Sequence, residues 1–321
     1  MKTLILTKSD VLKLINMKMV IKEVEKAFNE MATGQARMPA KSYVPLEKGD
    51  FRAMPAALAD ASGVKWVNVH PHNRAYNLPT VMATIIANDP ETGYPLAIME
   101  ASEITAYRTG ATSAIASRCL ANPHASSIGL VGTGRQAQAQ LEAHLELYEF
   151  SKINVFDIDE QRAKLFASYY PELAISISTI EETCNSHIIC TTTPTKTPLL
   201  KYEWINKGTH INAVGADAPG KQELESDIVK NAKVIVDDIE QVTKSGEINV
   251  PIQTGEFLKS EIFGTLCDCI TNRINCRWSH DEITVFDSTG IAIEDIAVAR
   301  AVYNAAKQAP AGTYLEVALF S

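Results

Sequence analysis

The sequence predicts an α/β protein of two parts: a doubly wound parallel sheet, and a second α+β domain built on an antiparallel sheet. Three observations carry this expectation. The run SSIGLVGTGRQA at 126–137 has the strand, glycine loop and helix start of a dinucleotide-binding unit; from 126 onwards, six short apolar runs alternate with helical stretches; and between 42 and 99 the pattern changes to short alternating runs.

Element by element, Leu4 to Leu6 reads as a short strand, and Thr7 to Asp10 as an N-cap with an acidic first turn for a helix at Val11 to Ile15. Met19, Val20, Val24, Ala27 and Phe28 continue at helical spacing to Gly34, which suits a C-cap. From Ser42 to Met99 the alternation is broken by Gly49, Gly63, Pro79 and Gly93, as in an antiparallel sheet. The Ala, Ser and Thr-rich stretch 102–121 reads as a long helix. Parallel strands are then expected at Ile128 to Val131, Ile153 to Phe156, His187 to Thr191, His210 to Val214, Val234 to Val236 and Ile283 to Phe286, with a last helix at Glu294 to Ala306. The division follows as 1–117 with 300–321 for substrate binding, and 118–299 for the dinucleotide.

The glycine loop has a specific chemistry. Gly132 permits the tight turn, Gly134 leaves room for a pyrophosphate against the backbone, and Ala137 lets the helix pack on the strand. The helix would face the phosphates with free N–H groups. Asp157, at the end of the next strand, stands where a carboxylate accepts both ribose hydroxyls of an adenosine and disfavours a 2′-phosphate, so the expected cofactor is NAD rather than NADP.

With 321 residues, 46% hydrophobic and 21% charged, the composition is that of a globular chain of two cores, and a net charge of −8 without a basic stripe argues against a nucleic-acid partner. The N-terminus MKTLILTKSD lacks a signal-peptide stretch and no run approaches a membrane span, so a cytoplasmic protein is expected. Six cysteines, at 119, 184, 190, 267, 269 and 276, show neither Cys-x-x-Cys nor zinc spacing and read as free thiols; no metal site is expected.

Ligands of an open parallel sheet lie beyond the carboxyl ends of its strands. Thr191, Thr192 and Thr193, Gly215 to Asp217, and Asp287 to Thr289 occupy such positions. The threonines also suit simple turn chemistry, and Asp217 in GADAPGKQEL also suits the cap of a helix after Pro219. In the first part, Lys65 in GVKWVNVHP is placed to be half-buried with a lowered pKa, although strand alternation also allows it to face solvent. Lys41 and Arg52 alternate with apolar neighbours in the same way. Several cations without nearby acids suggest an anionic substrate.

GVKWVNVHP, LPTVMATIIANDPETGYPLAIMEASEITAYRTGA, GTGRQA, HINAVGADAPGKQEL and ITVFDSTGIAIEDIAVA together resemble the ornithine cyclodeaminase and mu-crystallin family over nearly the whole chain. Within it, MPAKSYV, EKGDFRAMPA and GADAPGKQELE are most similar to the archaeal alanine dehydrogenase branch. The resemblance implies a Rossmann domain joined to an antiparallel-sheet domain through which two subunits form a homodimer. It also implies Lys65 and Asp217 as the active-site lysine and aspartate, Lys41 as a cation on the substrate carboxylate, and Arg108 as an arginine serving both substrate and cofactor. The expected cofactor set is Arg108, Thr109, Gly132, Gly134, Arg135, Gln136, Asp157, Asp159, Thr191, Thr192, Thr193, Val214 and Ser288.

One position separates the branches. Cyclodeaminases carry a glutamate in ELMP where this chain has Arg52 in RAMP, and an arginine repels a diamine and favours the carboxylate of a small amino acid or 2-oxo acid. The resemblance therefore implies reversible NAD-dependent oxidative deamination of L-alanine, with ornithine cyclodeamination, cyclic ketimine reduction and crystallin-like ligand binding as the alternatives. GTLCDCITNRINCRW departs from the family, which usually has a Gly-Glu pair there; Asp268 is the candidate stand-in for the glutamate.

Overall fold

A computed structural model describes residues 2–316. The chain divides into two compact units, Met1–Arg108 with Ile291–Ser321, and Thr109–Gly290. The cuts lie nine residues before those expected at 117/118 and 299/300, and residues 1 and 317–321 of the expected division lie outside the described residues.

The first unit opens with β1 (Thr3–Leu6), α1 (Lys8–Leu14) and α2 (Met17–Ala32), followed by β2 (Ser42–Leu46), β3 (Gly49–Ala57), β4 (Ser62–Val69), β5 (Val81–Asn88) and β6 (Pro95–Glu100). Thr7 caps α1 in a reciprocal box with Asp10, satisfying two otherwise orphaned N–H groups. Strands β2 to β6 form the expected antiparallel meander. Pairing of β1 is different: it lies parallel to β6, an arrangement that alternation within β1 does not encode. Helix α3 (Ser102–Leu120) carries the boundary between the units at Arg108 and Thr109.

In the second unit, β7 (Ser127–Val131), α4 (Arg135–Leu145), β8 (Lys152–Phe156), α5 (Glu160–Ser168), β9 (Ile175–Ile177), α6 (Ile180–Cys184), β10 (Ile188–Thr191) and β11 (His210–Ala213) follow in turn. Then come α7 (Ser226–Lys230), β12 (Lys233–Val236), α8 (Ile239–Ser245), α9 (Asn249–Gln253), β13 (Gly264–Thr265), α10 (Leu266–Ile270) and β14 (Thr284–Asp287). The sheet runs β13-β12-β14-β11-β10-β7-β8-β9 and its pairs are parallel. Strand alternation sends Ile128, Leu130, Ile153 and Val155 into one core and Val131, Ile189, Ile211 and Val234 into another, so each face of the sheet is covered. Strand order reverses between β7 and β10, the place where an open α/β sheet leaves a crevice at its carboxyl edge. The chain then returns to the first unit with α11 (Ala292–Gln308), which packs on β3, β4 and β5, and β15 (Thr313–Leu315), which lies antiparallel to β1.

Two expectations are corrected. Cys269 and Cys276 are joined in a disulfide with Cα atoms 5.7 Å apart, so only Cys119, Cys184, Cys190 and Cys267 lie outside a disulfide. Their separation of seven residues resembles no motif, which is why spacing missed the bridge. No helix follows Pro219 directly; the chain runs through a turn to α7, so Asp217 is not a helix cap. Among the described residues, no helix is long and apolar enough to cross a membrane, and no group of three or more acids, histidines or cysteines is arranged to hold a metal ion.

Candidate active site

Lys65 occupies the middle of β4, with Met54 and Ile85 opposite it on the flanking strands. Alternation puts Trp66 on the outer face, 45% exposed, and Lys65 on the inner face, 1% exposed. The solvent-facing alternative is thereby excluded. Its Nζ lies 2.7 Å from Asp295 Oδ2 and donates to Thr105 Oγ1 at 3.4 Å. Burial lowers the ammonium pKa from 10.5 to about 8; Asp295 pulls it back up, and Arg108 pushes it further down. The amine therefore changes protonation in the range where a proton donor and acceptor is useful.

Arg108, buried at the end of this unit's part of α3, donates from Nε to Asp295 Oδ1 at 3.1 Å and from Nη1 to Glu294 Oε2 at 2.7 Å. Both acids sit in the first turn of α11, where the N-terminal dipole favours them. Two buried cations and two buried acids thus form one network. Asp295 and Glu294 were missed by sequence reasoning; the signal was a pair of adjacent acids inside the apolar run ITVFDSTGIAIEDIAVA.

Arg52 faces inward on β3, opposite Val67 and Tyr43, so Tyr43, Arg52 and Lys65 share one face of the sheet. Asp50 holds its guanidinium in a fork, with Nε to Oδ1 at 2.7 Å and Nη2 to Oδ2 at 3.1 Å. Tyr43 stacks beneath it at 5.0 Å from Cζ and meets Lys41 Nζ at 5.7 Å. The structure brings Lys41 and Arg52 together around one aromatic ring, with Arg52 oriented by an acid two residues away that sequence reasoning had passed over.

The second unit carries the glycine loop. Gly132 has φ +92°, and a Cβ there would meet Thr192 Oγ1 at 2.9 Å, so both conformation and space demand glycine. Gly134 is the N-cap of α4 without a side-chain cap, and a Cβ there would meet only Arg162 Nη2, at 3.8 Å. Gln136 Oε1 is buried without a hydrogen-bond partner among the described residues. An uncapped helix start and an open glycine fit a phosphate, and the orphaned amide oxygen fits a hydroxyl donor of the same ligand. Asp157 accepts from Thr133 N at 2.9 Å, Thr133 Oγ1 at 2.8 Å and Asp159 N at 3.0 Å. Burial raises its pKa, but these hydrogen bonds, together with the charge of Arg162, outweigh burial and hold the carboxyl below its usual range. Asp159 caps α5 through Gln161 N, and Arg135 and Gln136 open α4. Thr109 is buried and its carbonyl accepts from Gln140 at 3.5 Å.

At the strand ends the threonines have a partner that spacing did not reveal. Glu223 Oε2 accepts from Thr191 Oγ1 at 2.6 Å and Gly215 N at 2.8 Å, and its Oε1 accepts from Thr193 N and Oγ1, both at 2.7 Å. Glu247 in turn accepts from the N–H groups of Glu223 and Leu224, and Asp287 accepts from those of Glu247 and Ile248. Burial raises the pKa of Glu223, and burial with the charges of Glu223 and Asp287 raises that of Glu247 well above the carboxylate range. Val214 and Ser288 close the same strand ends by donating to Thr191 O and Ala213 O. Thr192 donates to Val131 O at 3.3 Å. Asp217 is partly exposed and paired with Lys221 at 2.6 Å in the second unit, whereas Lys65 belongs to the first. Asp268 is the capping-box partner of Thr265 at the start of α10.

Comparison with known proteins shows a match to the description "Ornithine cyclodeaminase/mu-crystallin family" across residues 1–309. The chain belongs to this family. Among its curated relatives is alanine dehydrogenase of Archaeoglobus fulgidus (strain ATCC 49558 / DSM 4304 / JCM 9628 / NBRC 100126 / VC-16), 46% identical over 318 residues that cover 98% of this chain and 99% of the relative. Among solved structures, an archaeal alanine dehydrogenase dimer with bound NAD superposes with TM-score 0.97 at 46% identity, covering 98% of this chain and 99% of the other. Δ1-pyrroline-2-carboxylate reductase of Thermococcus litoralis, in complex with NADH and L-proline, superposes with TM-score 0.94 at 38% identity, covering 98% and 100%. The family named by its sequence motifs and the α/β fold expected from them are thus both found.

Proposed function

We propose that this member of the family is an NAD-dependent L-alanine dehydrogenase that interconverts alanine with pyruvate and ammonia. The observation that carries the reading is the inner face of β3 and β4, where a buried lysine whose pKa burial lowers to about 8 shares a face with an arginine oriented by Asp50. Identity of 46% to the archaeal alanine dehydrogenase supports the choice of substrate, as does Arg52 in place of a glutamate.

Bound at Gly132, Gly134, Gln136 and Asp157, NAD supplies the hydride acceptor and donor. Arg52, Lys41 and Arg108 hold the substrate carboxylate and fix the α-carbon. Lys65 holds or accepts the proton of the substrate nitrogen and of the carbinolamine oxygen. Asp217 orients the amine or the attacking water, with Lys221 setting its position through the 2.6 Å ion pair. A homodimer is part of the proposal: Val44, Phe51, Trp66 and Ile86 lie on the outer face of the first unit's sheet, and Val44, Trp66 and Ile86 are at least 38% exposed there.

The test mixes the purified protein with NADH, ammonium and pyruvate and follows absorbance of the reduced nicotinamide, with parallel wells of NAD and L-alanine, NAD and L-ornithine, and NADH with 1-pyrroline-2-carboxylate. NADH consumption with pyruvate and formation with alanine are expected. Turnover confined to the pyrroline well, or proline formed from ornithine, would overturn the alanine reading.

A further inference from the structure

The segment GTLCDCITNRINCRW serves neither the dinucleotide loop nor the Lys65 network. It lines an open cavity of about 570 Å³ in the second unit, together with the end of α3. Three sulfur-bearing residues, Cys119, Cys269 and Cys276, and three arginines, Arg118, Arg273 and Arg277, form its wall. Cys269 and Cys276 are the bridged pair, whereas Cys119 is an unbridged, partly exposed cysteine. Each arginine is placed differently. Arg277 is held by the carbonyls of Leu120, Gly208, Ser279 and His280, so it fixes the end of the bridge. Arg273, inside the bridged loop, reaches Asp268 at 3.9 Å, and Arg118 precedes Cys119 on α3.

We infer that this cavity is a thiol–disulfide exchange site for a small anionic thiol. Its volume lies in the range of small-molecule sites, and the arginines raise the local concentration of an anion and favour the thiolate form of the sulfurs beside them. The incoming thiolate forms a bond to one bridge sulfur, the Cys269–Cys276 bond breaks, and the second cysteine leaves as a thiolate that takes a proton. A second thiol then displaces the first as a small-molecule disulfide, leaving both cysteines reduced. Two small thiols are oxidised and one protein disulfide is reduced, so electrons balance without another reagent. Cys119, in the same wall, is the protein's own competitor for the mixed disulfide.

The test uses the full protein purified without reductant. Titration of thiols in denaturant should find four of the six cysteines free. Reduced glutathione, an anionic tripeptide thiol, and neutral 2-mercaptoethanol are then compared at equal thiolate concentration by intact mass and peptide mapping. The expected result is a mixed disulfide at Cys269 or Cys276 that forms on the order of 10-fold faster with glutathione at low salt. That advantage should vanish in about 1 M salt, where charges are screened beyond ~3 Å. Arg273→Gln, which keeps the bridge, should lower the advantage, while Cys276→Ser should abolish adduct formation at the pair. Six free thiols after mild oxidation would overturn the proposal, as would equal rates for the two thiols or the absence of any adduct at the pair.

Discussion

The first unit buries cations against acids, and the second buries acids against peptide N–H groups. Around Lys65 and Arg108 the partners Asp295 and Glu294 are themselves ionisable, so each charge depends on the protonation of another side chain. Around Glu223, Glu247 and Asp287 the donors are largely backbone amides and threonine hydroxyls, which do not titrate. The first arrangement suits proton transfer, because small changes of environment move a pKa through the working range. The second suits shape: each carboxylate ties together loops that leave different strands, at the edge where the dinucleotide loop lies.

Breaking the first arrangement should have the largest effect. Lys65→Ala is expected to lower kcat by about 10²-fold to 10⁴-fold, the range for loss of a general acid or base, measured by steady-state NADH formation. Asp295→Asn leaves Lys65 and Arg108 buried without their shared anion. Destabilisation of about 3–5 kcal/mol is expected in urea unfolding, the usual result when one partner of a buried pair is removed.

The second arrangement should respond differently. Glu223→Gln replaces an acceptor by an amide whose NH₂ confronts the donors of Thr191 and Gly215 or of Thr193, at a cost of roughly 1–3 kcal/mol. Its loosened strand ends should raise the KM for NAD about tenfold, with kcat changed far less. Lys41→Ala, at a half-exposed position, should raise the KM for alanine about fivefold, since a solvent-screened charge contributes ~1 kcal/mol or less.

The stability of the first unit also carries a pH signature. Lys65 is more basic unfolded, near 10.5, than folded, near 8, so between these values the unfolded chain binds more protons. The destabilisation from burying this ammonium is therefore full below pH 8 and is relieved as pH rises towards 10.5. Subtracting the unfolding free energies of Lys65→Met from those of the parent across this window isolates the contribution.

What the sequence discloses about these two regions also differs. The glycine loop, Asp157 and the six principal strands were readable because a local pattern encodes each: a backbone that needs glycine, a strand that needs alternation or an apolar run. Lys65 and Arg52 were readable as cations between apolar neighbours, and register then showed that they share a face. Asp295 was not, because its contact with Lys65 joins positions 230 residues apart with no shared motif. Glu223 lay inside the motif GADAPGKQEL without a role assigned to it, since only the fold shows the threonines of another strand end donating to it. The Cys269–Cys276 bridge was obscured by a composition that otherwise reads as free thiols.

The most direct test of the central claim is the pH dependence of kcat/KM for NAD-dependent alanine oxidation, in the parent and in Asp295→Asn. The parent rate should rise with pH through an apparent pKa near 8, as Lys65 loses its proton and becomes an acceptor. In the variant that inflection should move to lower pH, because Asp295 is the group that raises the lysine pKa. A flat profile between pH 7 and 9, or an inflection that Asp295→Asn leaves in place, would contradict the assignment of the proton chemistry to Lys65.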